Sequence, residues 1–320
     1  MLPNKVLIAQ KTHPDVLAIL TPHAETVSIR EGDADDLLAK IVDCRAVLLG
    51  TWLRFTAEYM DAAKELKVIS RTGVGVDSVD VEAASKRGIY VLNTPGANAV
   101  TVAEHALAMI ISLAKYIVFL DGQVRNDSFK SRRLYLPVDL DGKTLGVIGF
   151  GAIGRLLAEK CRLAFNMEVL AYDPFVSEWP DWVQPARLMD DIFIHSDFVS
   201  LHMPLTEETK NIIGERTLSL MKSSAFLINT SRGEIVDEDA LYEFLKENKI
   251  AGAGLDVLKK EPPDPDDKLL SLPNVILTPH TGALTRECSL RVAKCAAQGI
   301  ADYFQGKTPA HIVNRDFINL

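Results

Sequence analysis

One stretch of this chain leaves little freedom to the rest: Leu145 to Asp173, LGVIGFGAIGRLLAEKCRLAFNMEVLAYD. An apolar run too short for a helix leads straight into Gly149-x-Gly151-x-x-Gly154. Apolar residues at helical spacing follow, then a second apolar run, Glu168–Tyr172, that ends on Asp173. The glycines serve separate needs: a tight turn, close backbone approach to a pyrophosphate, and close contact between helix and strand. The helix behind them offers unpaired N–H groups and the positive end of its dipole to phosphates. Asp173 stands where a carboxylate accepts the ribose hydroxyls of NAD. A glycine triplet alone says little. Strand, triplet, helix, strand and acid in that order predict a dinucleotide site on a parallel sheet.

Composition limits the remainder. A chain of 320 residues is long for a single core and predicts two domains. The net charge of −8, with no basic stripe, argues against nucleic acid or an anionic membrane as partner. The start, MLPNKVLIAQ, reads as a first strand rather than a leader peptide. The most apolar segment, Ala106–Leu120, is short for a bilayer span and carries Lys115. The four cysteines lack ligand spacing, so no metal site is expected, and they read as reduced packing residues of a cytoplasmic protein.

In chain order, the first 95 residues alternate short apolar runs with helical patterns. Strands are expected at Lys5–Ala9, Thr26–Ile29, Ala46–Gly50, Lys67–Arg71 and Ile89–Asn93, with helices between them. This alternation predicts a parallel sheet covered on both faces. The loop Arg71–Asp77, RTGVGVD, reads either as an anion-holding backbone nest or as a plain βα turn. Asn93–Asn98 is a break, and one helix is expected from Thr101 to about Leu120. Within it His105, beside Glu104, reads as a helix histidine satisfied by a neighbour. Asn126–Asp141, with Lys130, Arg132 and Arg133, reads as a solvated loop. The glycine unit and later runs at Asp197–Leu201, Ala225–Asn229, Gly252–Val257 and Val275–Leu277 bring the second sheet to six strands. A helix over Thr285–Gly306 is expected to return to the first domain.

Candidate chemistry lies just beyond the later strands, at the sheet edge where open α/β folds bind ligands. Arg232 follows one strand, Asp256 and Glu261 another, and His280 and Gly282 the last. Reducing a 2-keto acid needs a proton donor for the carbonyl oxygen, a cation for the carboxylate, and a partner for the donor. Histidine titrates near neutrality, a carboxylate beside it favours the charged ring, and arginine grips carboxylates with two parallel hydrogen bonds. Taken singly, Arg232, Glu261 and His280 have duller readings as an ion pair, a loop charge and a turn residue. Behind a cofactor site they read together as one catalytic set.

Six stretches carry a family resemblance over essentially the whole chain: RTGVGVDSVD (Arg71–Asp80), NTPGANAVTVAEH (Asn93–His105), GKTLGVIGFGAIG (Gly142–Gly154), NTSRGEIVDE (Asn229–Glu238), LDVLKKEPP (Leu255–Pro263) and TPHTGA (Thr278–Ala283). The chain resembles the D-isomer-specific 2-hydroxyacid dehydrogenases. The resemblance implies two doubly wound α/β domains, a Rossmann NAD-binding domain over residues 98–284 inserted into a flavodoxin-like substrate domain of residues 1–97 and 285–320. It implies a homodimer built through the NAD-binding domains. By position, Arg232, Glu261 and His280 match the catalytic residues. Gly149, Gly151, Ala152, Ile153, Gly154, Asp173, Met203, Thr230, Asp256 and Gly282 match the NAD contacts, Asp256 near the carboxamide. Val74, Gly75, Asn98 and again Arg232 match the holders of the substrate carboxylate.

Within the family, RTGVGVDSVD and Tyr172-Asp173-Pro174 resemble 3-phosphoglycerate dehydrogenases most. Those enzymes commonly end the third strand on an arginine suited to a phosphate, whereas Gly50 stands here with Arg54 four residues on, and their regulatory C-terminal domain is not in this sequence. The substrate's third carbon is expected to face Thr51, Trp52 and Arg54. Val74 in place of a lysine argues against a phosphite dehydrogenase, and Glu261 in place of a glutamine against a formate dehydrogenase. Hydroxypyruvate or glyoxylate reduction is the expectation, 3-phosphoglycerate oxidation the alternative. A reading of another class is an NAD-sensing binding protein, against which the complete Arg232, Glu261, His280 set counts.

Overall fold

The structure, a computed structural model, describes residues 4–30, 32–50, 52–126 and 136–317. The chain divides into two compact units, Met1–Asn98 with Leu284–Leu320, and Ala99–Ala283. Thr51 and the basic residues Lys130, Arg132 and Arg133 lie outside the described residues.

The first unit is a five-stranded parallel sheet of β1 (Lys5–Ala9), β2 (Glu25–Ser28), β3 (Ala46–Leu49), β4 (Val68–Arg71) and β5 (Tyr90–Leu92). Its order, β2-β1-β3-β4-β5, is the flavodoxin-like arrangement. Helices α1 (Pro14–Leu20), α2 (Ala34–Ile41), α3 (Ala57–Ala62) and α4 (Val81–Lys86) connect the strands. Side-chain oxygens begin two of them: Asp33 accepts from Asp36 N and Asp80 from Ala83 N, each at 2.9 Å. Because strand side chains alternate, both faces of the sheet are apolar. Leu7, Ala9, Val47, Leu49 and Ile69 pack on the side of α2, α3 and α4. Val6, Ile8, Ala46, Leu48 and Val68 pack with α1 and with a long helix from the far end of the chain, Arg286–Phe304.

The second unit holds a seven-stranded parallel sheet, one strand more than expected. It begins with α5 (Ala99–Ala114) and α6 (Ile117–Arg125), then β6 (Thr144–Ile148), α7 (Ala152–Phe165), β7 (Glu168–Tyr172) and β8 (Gln184–Pro185). There follow α8 (Met189–His195), β9 (Phe198–Leu201), α9 (Glu215–Leu218), β10 (Phe226–Asn229), α10 (Glu238–Lys246), β11 (Gly252–Leu255) and β12 (Val275–Leu277). The Arg286–Phe304 helix of the first unit is α11. The order β8-β7-β6-β9-β10-β11-β12 is the Rossmann order with one strand added. The unforeseen strand is β8, two exposed residues on the edge with no apolar alternation to announce it.

One helix expected over Thr101–Leu120 is two. Tyr116, at φ 52°, breaks it, and the pieces are bent by 57°. Up to the break α5 is buried along most of its length, whereas α6 has no buried residue. The helical signal changes partner at Lys115, which pairs with Asp139. No single described helix is long and apolar enough to cross a membrane. The four cysteines are unpaired, and burial pushes the Cys44 and Cys161 thiols up to about 11 and about 12.

Candidate active site

Six loops meet the C-terminal edge of the second sheet, those after β6, β7, β9, β10, β11 and β12. The neighbours β6 and β9 mark the point where the strand order reverses, the usual ligand position in open α/β sheets. There Gly149 has φ 91°, and a Cβ on it would lie 2.7 Å from the His202 carbonyl carbon. The turn after β6 thus presses backbone to backbone on the residues leading to Met203, which is buried. Gly154 allows the next contact, since a Cβ there would lie 2.2 Å from Gly149 O. Above Gly151, in contrast, the space is open. Helix α7 starts at Ala152 and Ile153 with no side-chain cap, leaving its first N–H groups for a ligand.

Asp173 follows β7 and faces this turn. Its Oδ2 accepts from Phe150 N at 2.8 Å and its Oδ1 from Phe175 N at 2.9 Å. The acid therefore ties the glycine loop to the chain that follows β7. Across the sheet, the buried Thr230 Oγ1 has no hydrogen-bond partner among the described residues. The open Gly151 turn, the uncapped α7, Asp173 and this unpaired hydroxyl fit a dinucleotide.

The loop after β10 carries Arg232. Buried Asn229 holds it, donating from Nδ2 to Arg232 O at 2.8 Å and accepting at Oδ1 from Ser231 N and Oγ. Arg232 Nη1 donates to Ser231 O at 2.7 Å. The next residue must be glycine, because a Cβ on Gly233 would lie 2.0 Å from the Leu258 carbonyl carbon. This contact joins the Arg232 loop to the Leu258–Glu261 loop after β11. Glu238 braces that second loop by accepting from Lys259 N at 2.6 Å, and burial raises the Glu238 carboxyl above its usual range.

Glu261 and His280, drawn from different loops, meet. His280 Nδ1 lies 2.7 Å from Glu261 Oε2, while Oε1 accepts from Leu258 N at 3.1 Å. Both side chains are partly exposed, so the pair is accessible to a substrate. His280 itself is held in an unusual pose, with φ 51°. Its backbone N–H donates to Asp256 O at 2.8 Å. The two following N–H groups, of Thr281 and Gly282, donate to Asp256 Oδ1 and Oδ2, each at 2.8 Å. Thr278 Oγ1 adds a bond to Oδ1 at 2.5 Å. Burial alone would raise the Asp256 carboxyl, but the bonds from His105, Thr278, Thr281 and Gly282 outweigh it and hold the group below the usual range.

Asp256 is thus the hub of the histidine turn, a role not read from the sequence. Nor was that of His105. Its partners are not its neighbour Glu104, which faces Lys160, but Thr278 Oγ1 at 3.0 Å and Asp256 Oδ1 at 3.4 Å. A signal existed: His105 lies four residues from Thr101 and from Met109, both on the buried side of α5.

Three expected site residues belong to the first unit. Val74 and Gly75 follow β4, where Gly73 N donates to Thr94 Oγ1 at 2.9 Å and Asn93 Nδ2 to Val74 O at 2.8 Å. Asn98 Oδ1 is buried and has no hydrogen-bond partner among the described residues. In that unit Gly50 follows β3 in crowded surroundings, a Cβ there lying 3.1 Å from Gln10 Cβ and 3.3 Å from Trp52 Cδ1. Arg54 is exposed. Among the described residues no group of three or more His, Cys, Asp or Glu side chains is arranged to hold a metal ion.

The fold and these loops define an NAD(P)-type α/β unit with an acid–base pair on its ligand edge. The pattern of the D-isomer specific 2-hydroxyacid dehydrogenase, NAD binding domain, matches residues 107–282. The chain belongs to the D-isomer-specific 2-hydroxyacid dehydrogenase family, whose members are NAD-dependent oxidoreductases acting on CH–OH groups. A D-3-phosphoglycerate dehydrogenase of Archaeoglobus fulgidus is 39% identical over 313 residues, 97% of this chain and 59% of that protein. This chain therefore spans little more than half of that relative's length. A glyoxylate reductase of Korarchaeum cryptofilum is 40% identical over 293 residues, 89% of this chain and 87% of that protein. Among solved structures, an NADPH-dependent glyoxylate/hydroxypyruvate reductase from Sinorhizobium meliloti superimposes with a TM-score of 0.86, at 28% identity and covering 97% of each chain.

Proposed function

We propose that this chain reduces a small 2-keto acid to the D-2-hydroxy acid with NADH, and that hydroxypyruvate or glyoxylate is its substrate. The observation that carries this reading is the His280–Glu261 pair at 2.7 Å on the ligand edge of a dinucleotide-binding sheet. With Nδ1 turned to Glu261, His280 has Nε2 to offer the carbonyl oxygen. NADH, when bound, supplies the hydride to C2. His280 gives its proton to the carbonyl oxygen and takes it back in the reverse direction. Arg232 binds the substrate carboxylate and stabilises charge on the oxygen. From the first unit, Val74, Gly75 and Asn98 are assigned the same carboxylate. Thr230, Met203 and Gly282 take the cofactor, with Asp256 near its carboxamide. The protein is proposed to be a cytoplasmic homodimer built through the NAD-binding unit, and its unpaired cysteines accord with a reducing compartment.

The choice of substrate rests on the end of β3. Gly50 brings no cation, and Gln10 and Trp52 crowd the place where a larger side chain would start. A hydroxymethyl group or a hydrogen suits that chemistry better than a phosphate. The second reading, 3-phosphoglycerate oxidation, is favoured by the RTGVGVDSVD stretch and by exposed Arg54. NADH oxidation against hydroxypyruvate, glyoxylate, phosphohydroxypyruvate, pyruvate and branched 2-keto acids decides among them. Hydroxypyruvate or glyoxylate should give the highest kcat/KM, and His280→Ala should lower kcat by ~10²–10⁴ while NADH still binds. A preference of ~10-fold or more for the phosphorylated acid, removed by Arg54→Ala, would establish the second reading. No turnover of any 2-keto acid would favour a sensing role.

A further inference from the structure

We propose that His105 is a positioning residue for His280, acting across the sheet edge through Thr278 and Asp256. The inference rests on the reading of His280 as the proton donor. The turn that presents His280 is held almost wholly by one residue. The N–H groups of His280, Thr281 and Gly282 all end on Asp256, the first on its carbonyl and the others on its carboxylate. A buried carboxylate that accepts this many bonds organises the turn only if its own orientation is fixed. Asp256 follows β11, and besides the N–H groups that end on its carboxylate two side chains meet it. Thr278 Oγ1 donates to Oδ1 at 2.5 Å, and His105 Nε2 reaches both Thr278 Oγ1, at 3.0 Å, and Oδ1, at 3.4 Å.

His105 closes a triangle that otherwise has two corners. The threonine hydroxyl has one proton, and it is spent on Asp256, so Thr278 Oγ1 accepts from His105 Nε2. The imidazole therefore sets the direction in which the hydroxyl donates, as well as donating towards the carboxylate itself. It is supplied by α5, a helix buried along most of its length, so the polar corner is carried on a rigid element. A Cβ on Gly282 would lie 3.5 Å from His105 Cδ2, which places the ring against the end of the same turn. Loss of the imidazole frees the Asp256 carboxylate to rotate and lets the strained His280 backbone, at φ 51°, relax away from Glu261. A misplacement of about 1 Å at a reacting group can cost about 100-fold in rate.

The experiment compares His105→Leu, His105→Gln and Thr278→Val in the full-length chain. Steady-state kinetics with the best 2-keto acid, NADH affinity by fluorescence, and the imidazole NMR signals of His280, assigned by their loss in His280→Ala, are read together. His105→Leu should lower kcat by ~10- to 100-fold with NADH affinity kept within ~3-fold, and should shift the His280 signals. His105→Gln, which keeps a donor at similar reach, should restore kcat to within ~3-fold of wild type. Thr278→Val, which leaves α5 untouched, should reproduce the loss, and so covers the case in which the leucine variant does not fold. Unchanged kcat and unchanged His280 signals in a folded His105→Leu or Thr278→Val would overturn the proposal. So would a glutamine variant as impaired as leucine, since packing rather than hydrogen bonding would then be at work. If wild type turns over no 2-keto acid, it is the catalytic reading that fails, and the NMR comparison still decides the brace.

Discussion

Asp173 receives an N–H from each side of the turn it faces, Phe150 on Oδ2 and Phe175 on Oδ1. Its charge is thereby fixed where a ribose would lie, and a 2′-phosphate there would meet a like charge with Pro174 and Phe175, not an arginine, beside it. NAD(H) should be preferred over NADP(H) by at least ~100-fold in kcat/KM, about 2.7 kcal/mol. Comparable efficiency with the two cofactors would show that Asp173 does not face the ribose. His202 makes a prediction about acid. It sits behind Gly149 with Nε2 2.9 Å from Ser200 Oγ, and burial pushes it down to about 4 from 6.5. Between those values the unfolded chain binds a proton that the folded chain refuses, so stability should fall as pH drops from 6.5 towards 4, and be unaffected above it. The full loss is about 3 kcal/mol, and denaturant titrations of wild type and His202→Gln across this range should diverge by that order. The residues proposed for catalysis could be picked out by type, as a histidine, an acid and an arginine after successive strands, and the structure brings two of them, His280 and Glu261, to 2.7 Å. The hub at Asp256 and the brace at His105 could not, because both depend on which loops meet in space. A neighbour in sequence, Glu104, looked the simpler partner for His105, yet a helix turns that side chain the other way, towards Lys160.

At the scale of elements, the apolar runs located every strand but β8 to within a residue or two, whereas α8, α9 and α10 were not among the expected helices. Lys5–Ala9 and Val275–Leu277 fall on their expected limits. The failures have causes. β8 is a Gln-Pro pair on the sheet edge, held in register by Leu170 and Ala171 of β7 rather than by any pattern of its own. The α5–α6 break hinges on Tyr116 adopting φ 52°, a conformation that its residue type does not announce. Elements also meet through glycines whose purpose is spatial. Gly233 lets the Arg232 loop lie against Leu258, at the foot of the Glu261 loop. Gly233→Ala should force the two loops apart, lower the melting temperature in line with ~1–3 kcal/mol of overpacking, and reduce kcat more than NADH affinity. Equal losses in binding and turnover would mean that the contact serves the cofactor instead.

Across the whole molecule, two parallel sheets with helices on both faces were legible because continuous apolar runs alternate with amphipathic ones. One consequence concerns the order in which the polypeptide leaves the ribosome. The Ala99–Ala283 unit is complete before α11 is made, whereas the first sheet lacks the Ala293, Ala296, Ala297 and Ile300 face that covers Val6, Ile8, Val68 and Leu92. Synthesis therefore passes through a stage in which the inserted unit can fold while an older sheet waits with one side bare, an invitation to chaperones. Nascent chains arrested with residue 283 just clear of the ribosome and α11 still inside its tunnel should show a protease-resistant core of the inserted unit and digest readily before residue 98, and release of α11 should protect both. Resistance of the first 98 residues in the arrested chain would mean that their sheet is stable without its last helix.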